Sequence, residues 1–282
     1  THADGLGSDN MWMTSKNRRG YLMGISNSKP NKTSLIRSFL RGFFFNRRWI
    51  TFVVLILCWH FFVLAVDIDL LPTPGRVLES LREIMRSGIF FGQLGDSMVR
   101  IGLGFSLALT LGIITGVLMG SRDFWNKFFQ DLIVLGLSLP GLVYALLSVM
   151  IFGIGLTAPV AAITVASLPF IAVNVREGVR SIDKDLLDMC RVYKIDRARL
   201  IRQIIIPTLI PFIMAASRIG FTVAWKVAVL TEVFGASTGI GYQMRYQFQI
   251  FSVRGIVAWA LLFGLVMLVI EYGALIPMER YF

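Results

Sequence analysis

From residue 132 to residue 175 the chain runs for 44 positions without one Asp, Glu, Lys or Arg. A membrane span needs ~20 apolar residues, so this segment is too long for one crossing and long enough for two. Near its middle, Gly153, Gly155 and Pro159 punctuate the run, which predicts a hairpin between two spans. Further apolar runs lie at 50–66, 101–120, about 207–231 and about 256–276. The expected fold class is an all-α membrane protein with six transmembrane helices. Composition agrees: 16% of the residues are charged, against about 25% in ordinary soluble domains. Pro140, Pro169 and Pro211 fall inside expected spans, where kinks are tolerated if neighbours satisfy the freed carbonyls.

The net charge of +11 then needs a location. Residues 1–48 carry nine cations, which reads as a cytoplasmic tail ahead of a retained first span, with a permease domain over 49–278. With both termini inside, 20 of the 28 Lys and Arg residues fall on the inner side, eight of them between spans four and five. Arg76, Arg82, Arg86, Arg245 and Arg254 fall outside, and Arg100 sits at the outer mouth of span two. The positive charge is therefore read as a topological device. It does not point to a nucleic-acid partner, although the tail can also meet anionic lipid. Cys58 and Cys190 lie far apart, and His2 and His60 are the only histidines, so neither a metal site nor a His-based catalytic triad is expected.

The segment 176–206 is densely charged. Ile182, Leu186, Leu187, Met189, Cys190, Val192, Leu200, Ile201 and Ile204 recur at helical spacing, which predicts two amphipathic helices joined by a turn around 194–196. An apolar ridge facing water needs a partner groove.

This segment resembles the cytoplasmic signature of the permease subunits of bacterial ABC importers of the six-span, type I kind. Within that family it is similar to the branch for sulfonates, taurine, nitrate and bicarbonate. The family pattern is an EAA triplet, a glycine after three more residues, and an apolar run ending in proline. Here the triplet position holds Asp188-Met189-Cys190, the glycine position holds Lys194, and the run ends at Pro207. The layout matches and the core letters do not. Glycine there serves a turn with φ above zero, so Lys194 would cost roughly 1 kcal/mol or more. The resemblance extends from about residue 50 onward. It includes Leu71-Pro72-Thr73-Pro74, Ser97-Met98-Val99-Arg100, Phe152-Gly153-Ile154-Gly155, Arg218-Ile219-Gly220, Trp225, Glu232 and Gly239-Ile240-Gly241.

The resemblance implies a bacterial inner-membrane importer subunit whose coupling helix, between spans four and five, includes Asp188, Met189, Cys190, Lys194, Ile195 and Asp196. It implies as partners two nucleotide-binding ATPase subunits, a second permease copy, an external substrate-binding protein and the bilayer. No GxxxxGK[ST] phosphate loop occurs in the chain, so ATP and Mg²⁺ are expected on the partner ATPase and no cofactor here.

Several residues admit two readings. Gly112, Gly116 and Gly120 share one helix face, for packing within the subunit or for a dimer seam. Arg218 and Lys226 are cations inside span five, costly unless they face a cavity or a carboxylate. Either they line an anion pathway together with Glu232 and Pro140, or they pair with Glu232, Asp131 or Glu271. Two other functions stand beside the importer: a membrane scaffold that docks a soluble partner, and a secondary transporter.

Overall fold

The computed structural model describes residues 47–66 and 71–277, and its regular structure among those residues is entirely helical. Nearly all of the basic tail, along with Phe43–Phe45 and Arg280, lies outside the described residues. Helix α1 is Arg47–Val66. The chain divides between Cys58 and Trp59, and every later helix belongs to the second unit.

Helix α2 (Pro74–Arg86) opens with proline at its first turn, where the missing N–H costs nothing. It carries Arg76, Arg82 and Arg86, which the sequence left in a loop, and buries Val77 and Ser80. Helix α3 (Ile89–Ser121) begins well before residue 101, where the second span was expected. The intervening Arg100 does not stop the helix because its charge is buried against a partner. Helices α4 (Asp123–Ser138) and α5 (Gly141–Phe152) meet at a bend of 101°. The third span is therefore not the single kinked helix that the apolar run suggested. Leu139 precedes a proline and is held extended (ψ 132), and Pro140 follows at ψ 143, so the helix is interrupted outright.

Helix α6 (Thr157–Arg180) follows the expected hairpin, in which Gly153 adopts φ 74. Helix α7 (Lys184–Val192) and the start of helix α8 (Arg197–Gly235) are the two helices read from the charged segment. Near its start α8 widens into a π turn, Ile201–Ile205, just before Pro207. Thr208 there donates its hydroxyl to the Ile204 carbonyl at 2.7 Å. Helix α9 (Ile240–Gln249) and helix α10 (Val253–Leu275) complete the chain, the last turn of α10 again being π, Glu271–Leu275.

Among the described residues, α3, α6, α8 and α10 are long and apolar enough to cross a membrane, and α4 with α5 makes a fifth crossing if the bent pair counts as one. The apolar part of α1, Ile50–Ala65, is shorter than the ~20 residues a span needs. Six spans were expected because length was read from uncharged runs, which register neither a break nor a short helix.

Helices α3 and α6 run parallel. Gly104 faces Ile163, Gly112 faces Ile171 and Gly116 faces Val175, both numbers rising together. A Cβ on Gly112 would lie 2.7 Å from Ile171 Cβ, and one on Gly116 would lie 2.6 Å from the Ala172 carbonyl oxygen. The small-residue stripe thus seats α6 within the same subunit, because only glycine lets the backbones approach this closely. Helix α8 runs antiparallel to α6, with Gly178 against Phe212 and Gly220 against Ile171. The core between them holds Trp225, whose ring stacks on Phe263 at 4.0 Å. Outward, side chains such as Met150 (82% exposed) and Leu265 are apolar, as a bilayer solvent requires.

Candidate functional site

Three polar arrangements stand out against this apolar frame. In the first, α3 presents Gln93, Ser97 and Arg100 on one face toward the last turn of α8. Glu232 is wholly buried there, and its carboxylate accepts from Ser97 Oγ at 2.8 Å, Arg100 Nη1 at 2.9 Å and the Gly241 amide at 2.9 Å. Arg100 also donates to the Thr238 carbonyl at 2.7 Å and to Thr238 Oγ1 at 2.8 Å. The Gly239 amide donates to Gln93 Oε1 at 2.6 Å, and the Ile240 amide to Ser97 Oγ at 3.0 Å. Gly239 has φ 104, and a Cβ on it would fall 2.5 Å from Arg100 Nη1, so both backbone and space demand glycine. A buried charge is tolerated only when paired and hydrogen-bonded, and this carboxylate is both. The result ties α3, the end of α8 and the start of α9 into one unit.

The second arrangement is on α8 itself. Arg218 donates through Nε to Glu271 Oε1 at 2.7 Å, with Nη2 at 2.6 Å from the same oxygen. Of the three carboxylates open to it, it takes the one on the π turn of α10. Two turns further on, Lys226 is exposed and has neither a carboxylate nor a hydrogen-bond partner among the described residues. Its neighbours Ala224, Trp225, Val227 and Ala228 are all buried, so one charged side chain stands out from a packed stretch of span. The bend at Pro140 lies beside that stretch: a Cβ on Gly141 would be 3.4 Å from Val227 and 3.5 Å from Leu230. Tyr144 braces the bend by donating to the Gly136 carbonyl at 2.6 Å, one of the acceptors the interrupted helix leaves over.

The third arrangement is the turn between α7 and α8. Asp183 caps α7 by accepting from the Asp185 amide at 2.9 Å, and Asp196 caps α8 by accepting from the Ala198 amide at 3.2 Å. Between them the Ile195 amide donates to the Cys190 carbonyl at 2.9 Å and the Lys194 amide to the Arg191 carbonyl at 3.1 Å. This is a Schellman cap, and Lys194 occupies its left-handed position at φ 50, the role glycine serves elsewhere. Cys190 points inward and is buried, and Ile195 is half-buried. Asp188 pairs with Arg191 at 2.9 Å on the solvent face, while Met189, Val192 and Tyr193 leave an apolar patch uncovered.

The structure thus brings Glu232 together with Arg100, Ser97, Gln93 and Thr238, none of which the sequence marked as a site. Glu232 itself was expected on the pathway or paired with Arg218 or Lys226, and it pairs with Arg100 instead; the available signal was Ser97 and Arg100 three residues apart on an otherwise apolar helix. Charge counting had instead placed Arg100 at a membrane mouth. Among the described residues, no three His, Cys, Asp or Glu side chains gather as metal ligands would.

The sequence model of the binding-protein-dependent transport system inner membrane component matches residues 108–274, more than half of the chain. The chain belongs to that family, the one its motifs resemble. SsuC of Bacillus subtilis (strain 168), named for aliphatic sulfonates transport, is 27% identical over 202 residues, covering 72% of this chain and 73% of that protein. The taurine transport system permease protein TauC of Escherichia coli (strain K12) is 27% identical over 208 residues, covering 72% and 76%. A solved chain of the MetNI methionine ABC transporter, in an inward facing conformation, superposes with a TM-score of 0.60 at 17% identity, over 70% of this chain and 97% of that one. That likeness establishes a shared fold.

Proposed function

We propose that this chain is a transmembrane subunit of an ATP-driven importer for a small anionic solute of the sulfonate, taurine, nitrate or bicarbonate class. Family membership supports transport, and the names of SsuC and TauC support the solute class. The observation that carries the anionic reading in this chain is Lys226, an unpartnered cation in the longest span, beside the break at Pro140. A cation held in a low-dielectric wall attracts anions from a distance. In this reading Lys226 and the Pro140 bend line the pathway, while Arg218 and Glu232 hold its wall through their ion pairs.

The remaining parts follow from that reading. α1 and the bent α4–α5 pair each cross once, which makes six spans with both termini in the cytoplasm of a bacterium. Segment 176–206, with α7 at its centre, docks a separate ATPase that holds ATP and Mg²⁺, and Met189 and Tyr193 supply its apolar ridge. A second permease copy completes the pathway, and an external binding protein delivers the solute.

Two substitutions test this in reconstituted vesicles containing the full complex. Lys226→Gln should lower uptake of the anionic solute several-fold while ATPase coupling persists; equal uptake would remove the lysine from the pathway. Leu187→Pro should abolish solute-stimulated ATP hydrolysis without removing the protein from the membrane. Unchanged stimulation would refute docking through α7.

A further inference from the structure

Away from these three arrangements, a cavity of about 400 Å³ opens between the start of α2 and the turn that joins α9 to α10. Arg76 and Pro72 form one side, and Ile250, Phe251, Ser252 and Arg254 the other. Among the described residues, neither guanidinium has an ion pair or a hydrogen bond, and no carboxylate lines the cavity. Both arginines are exposed, and two cations from separate elements lining one space raise the potential there and favour an anion.

The rim carries a second, independent observation. Phe251 has φ 55, a conformation that costs a bulky residue roughly 1–2 kcal/mol. The Phe251 amide donates to the Phe248 carbonyl at 3.0 Å and the Ser252 amide to the Gln247 carbonyl at 2.9 Å, so the turn is a Schellman cap with phenylalanine in the glycine position. Among the described residues Phe251 is left 80% exposed, and Ile250 and Phe248 stand exposed beside it. Strain at a displayed side chain is retained where the side chain is used.

We propose that this cavity holds the headgroup of an anionic phospholipid. The phosphate sits between Arg76 and Arg254, and the acyl chains lie along Ile250 and Phe251. Placement argues for a lipid over an acidic protein surface. Arg254 is the second residue of α10, an apolar helix long enough to cross the membrane, so it stands at headgroup depth. An acidic protein would match the guanidiniums and leave the apolar rim unmatched, whereas a phospholipid matches both. Arginine is also suited to a phosphate, because its planar fork donates two parallel hydrogen bonds. The inference requires only that α10 crosses the bilayer, and it does not depend on the cargo or on Lys226.

The test is photocrosslinking in nanodiscs that contain the full chain with its partner subunits. Phosphatidylglycerol with a photoactivatable acyl chain is compared with the phosphatidylcholine equivalent, and crosslinks are mapped by mass spectrometry to residues 246–254. Phosphatidylglycerol should label this segment about tenfold more than phosphatidylcholine, and R76Q/R254Q should abolish the preference while labelling elsewhere stays unchanged. R76K/R254K, which keeps charge and loses the fork, should fall between the two and guards against a misfolded glutamine variant. Undiminished labelling in R76Q/R254Q overturns the proposal. So does displacement of the lipid by millimolar inorganic phosphate, which would make this a site for a free anion. Loss of labelling on adding an acidic binding protein would likewise overturn it, making the face a protein dock.

Discussion

Lys226 and Glu232 sit less than two turns apart on α8, and the fold treats them in opposite ways. The glutamate is sealed by Ser97, Arg100 and Gly241 until no part of it meets solvent. The lysine is left exposed and unpaired. Both are costly in an apolar medium, and the difference lies in whether the neighbouring helix supplies a partner at that depth. α3 does so at Glu232, while beside Lys226 the neighbouring α5 starts at Gly141, against Val227 and Leu230. Paired, the charge locks three elements together; unpaired among the described residues, it is the charge we propose meets the solute.

The largest expected effect comes from breaking the sealed pair. Glu232→Ala should leave Arg100 buried and uncompensated, at a cost of about 3–5 kcal/mol, read as a lower melting temperature or lost expression. Replacing both partners by Met should cost much less than either single change, since an apolar pair of similar size leaves no stranded charge. If the double variant is as unstable as Glu232→Ala, the pair is holding α9 through its hydrogen bonds to Gly241 and Thr238 and not through charge balance. At Lys226 the comparison predicts the reverse pattern: Lys226→Gln should leave the melting temperature unchanged and alter uptake alone.

The ion pair of Arg218 with Glu271 is intermediate, its arginine side chain 40% exposed. Breaking it with Arg218→Gln should cost less than about 2 kcal/mol, and the charge swap R218E/E271R should recover part of that in thermal unfolding. The smallest effect is expected at the α7 turn. Lys194→Gly relieves a left-handed lysine and should stabilise the turn by up to about 1 kcal/mol, since the relief is offset in part by the greater freedom of glycine when unfolded. Unfolding of α7 followed by hydrogen exchange measures it locally. No gain would mean that the Lys194 side chain makes up elsewhere for its backbone.

Much of this was legible in the residues. The two helices α7 and α8 and the turn around 194–196 were read from the apolar spacing, and the need for positive φ at Lys194 was readable from the glycine it replaces. The hairpin at Gly153 was likewise marked by its own turn residues. These are local features, fixed by a handful of adjacent side chains. The third span was misjudged because a proline within a long apolar run specifies interruption without specifying its angle, and the 101° depends on what α6 and α8 leave room for. The partner of Arg100 was missed for a similar reason: a cation counted along the chain shows only its place in the sequence until its glutamate, 132 residues away, is brought beside it.

The sequence by itself determined that this chain dissolves in a bilayer, where its turns fall, and which family pattern it carries. Those follow from composition and from short-range spacing, which act before any helix meets another. Only the tertiary structure decided which charges are sealed and which are left open, and that glycines 104 to 116 seat a parallel helix of the same subunit. A charge or a small side chain has no fixed meaning in an apolar medium; the helix that lands against it supplies one.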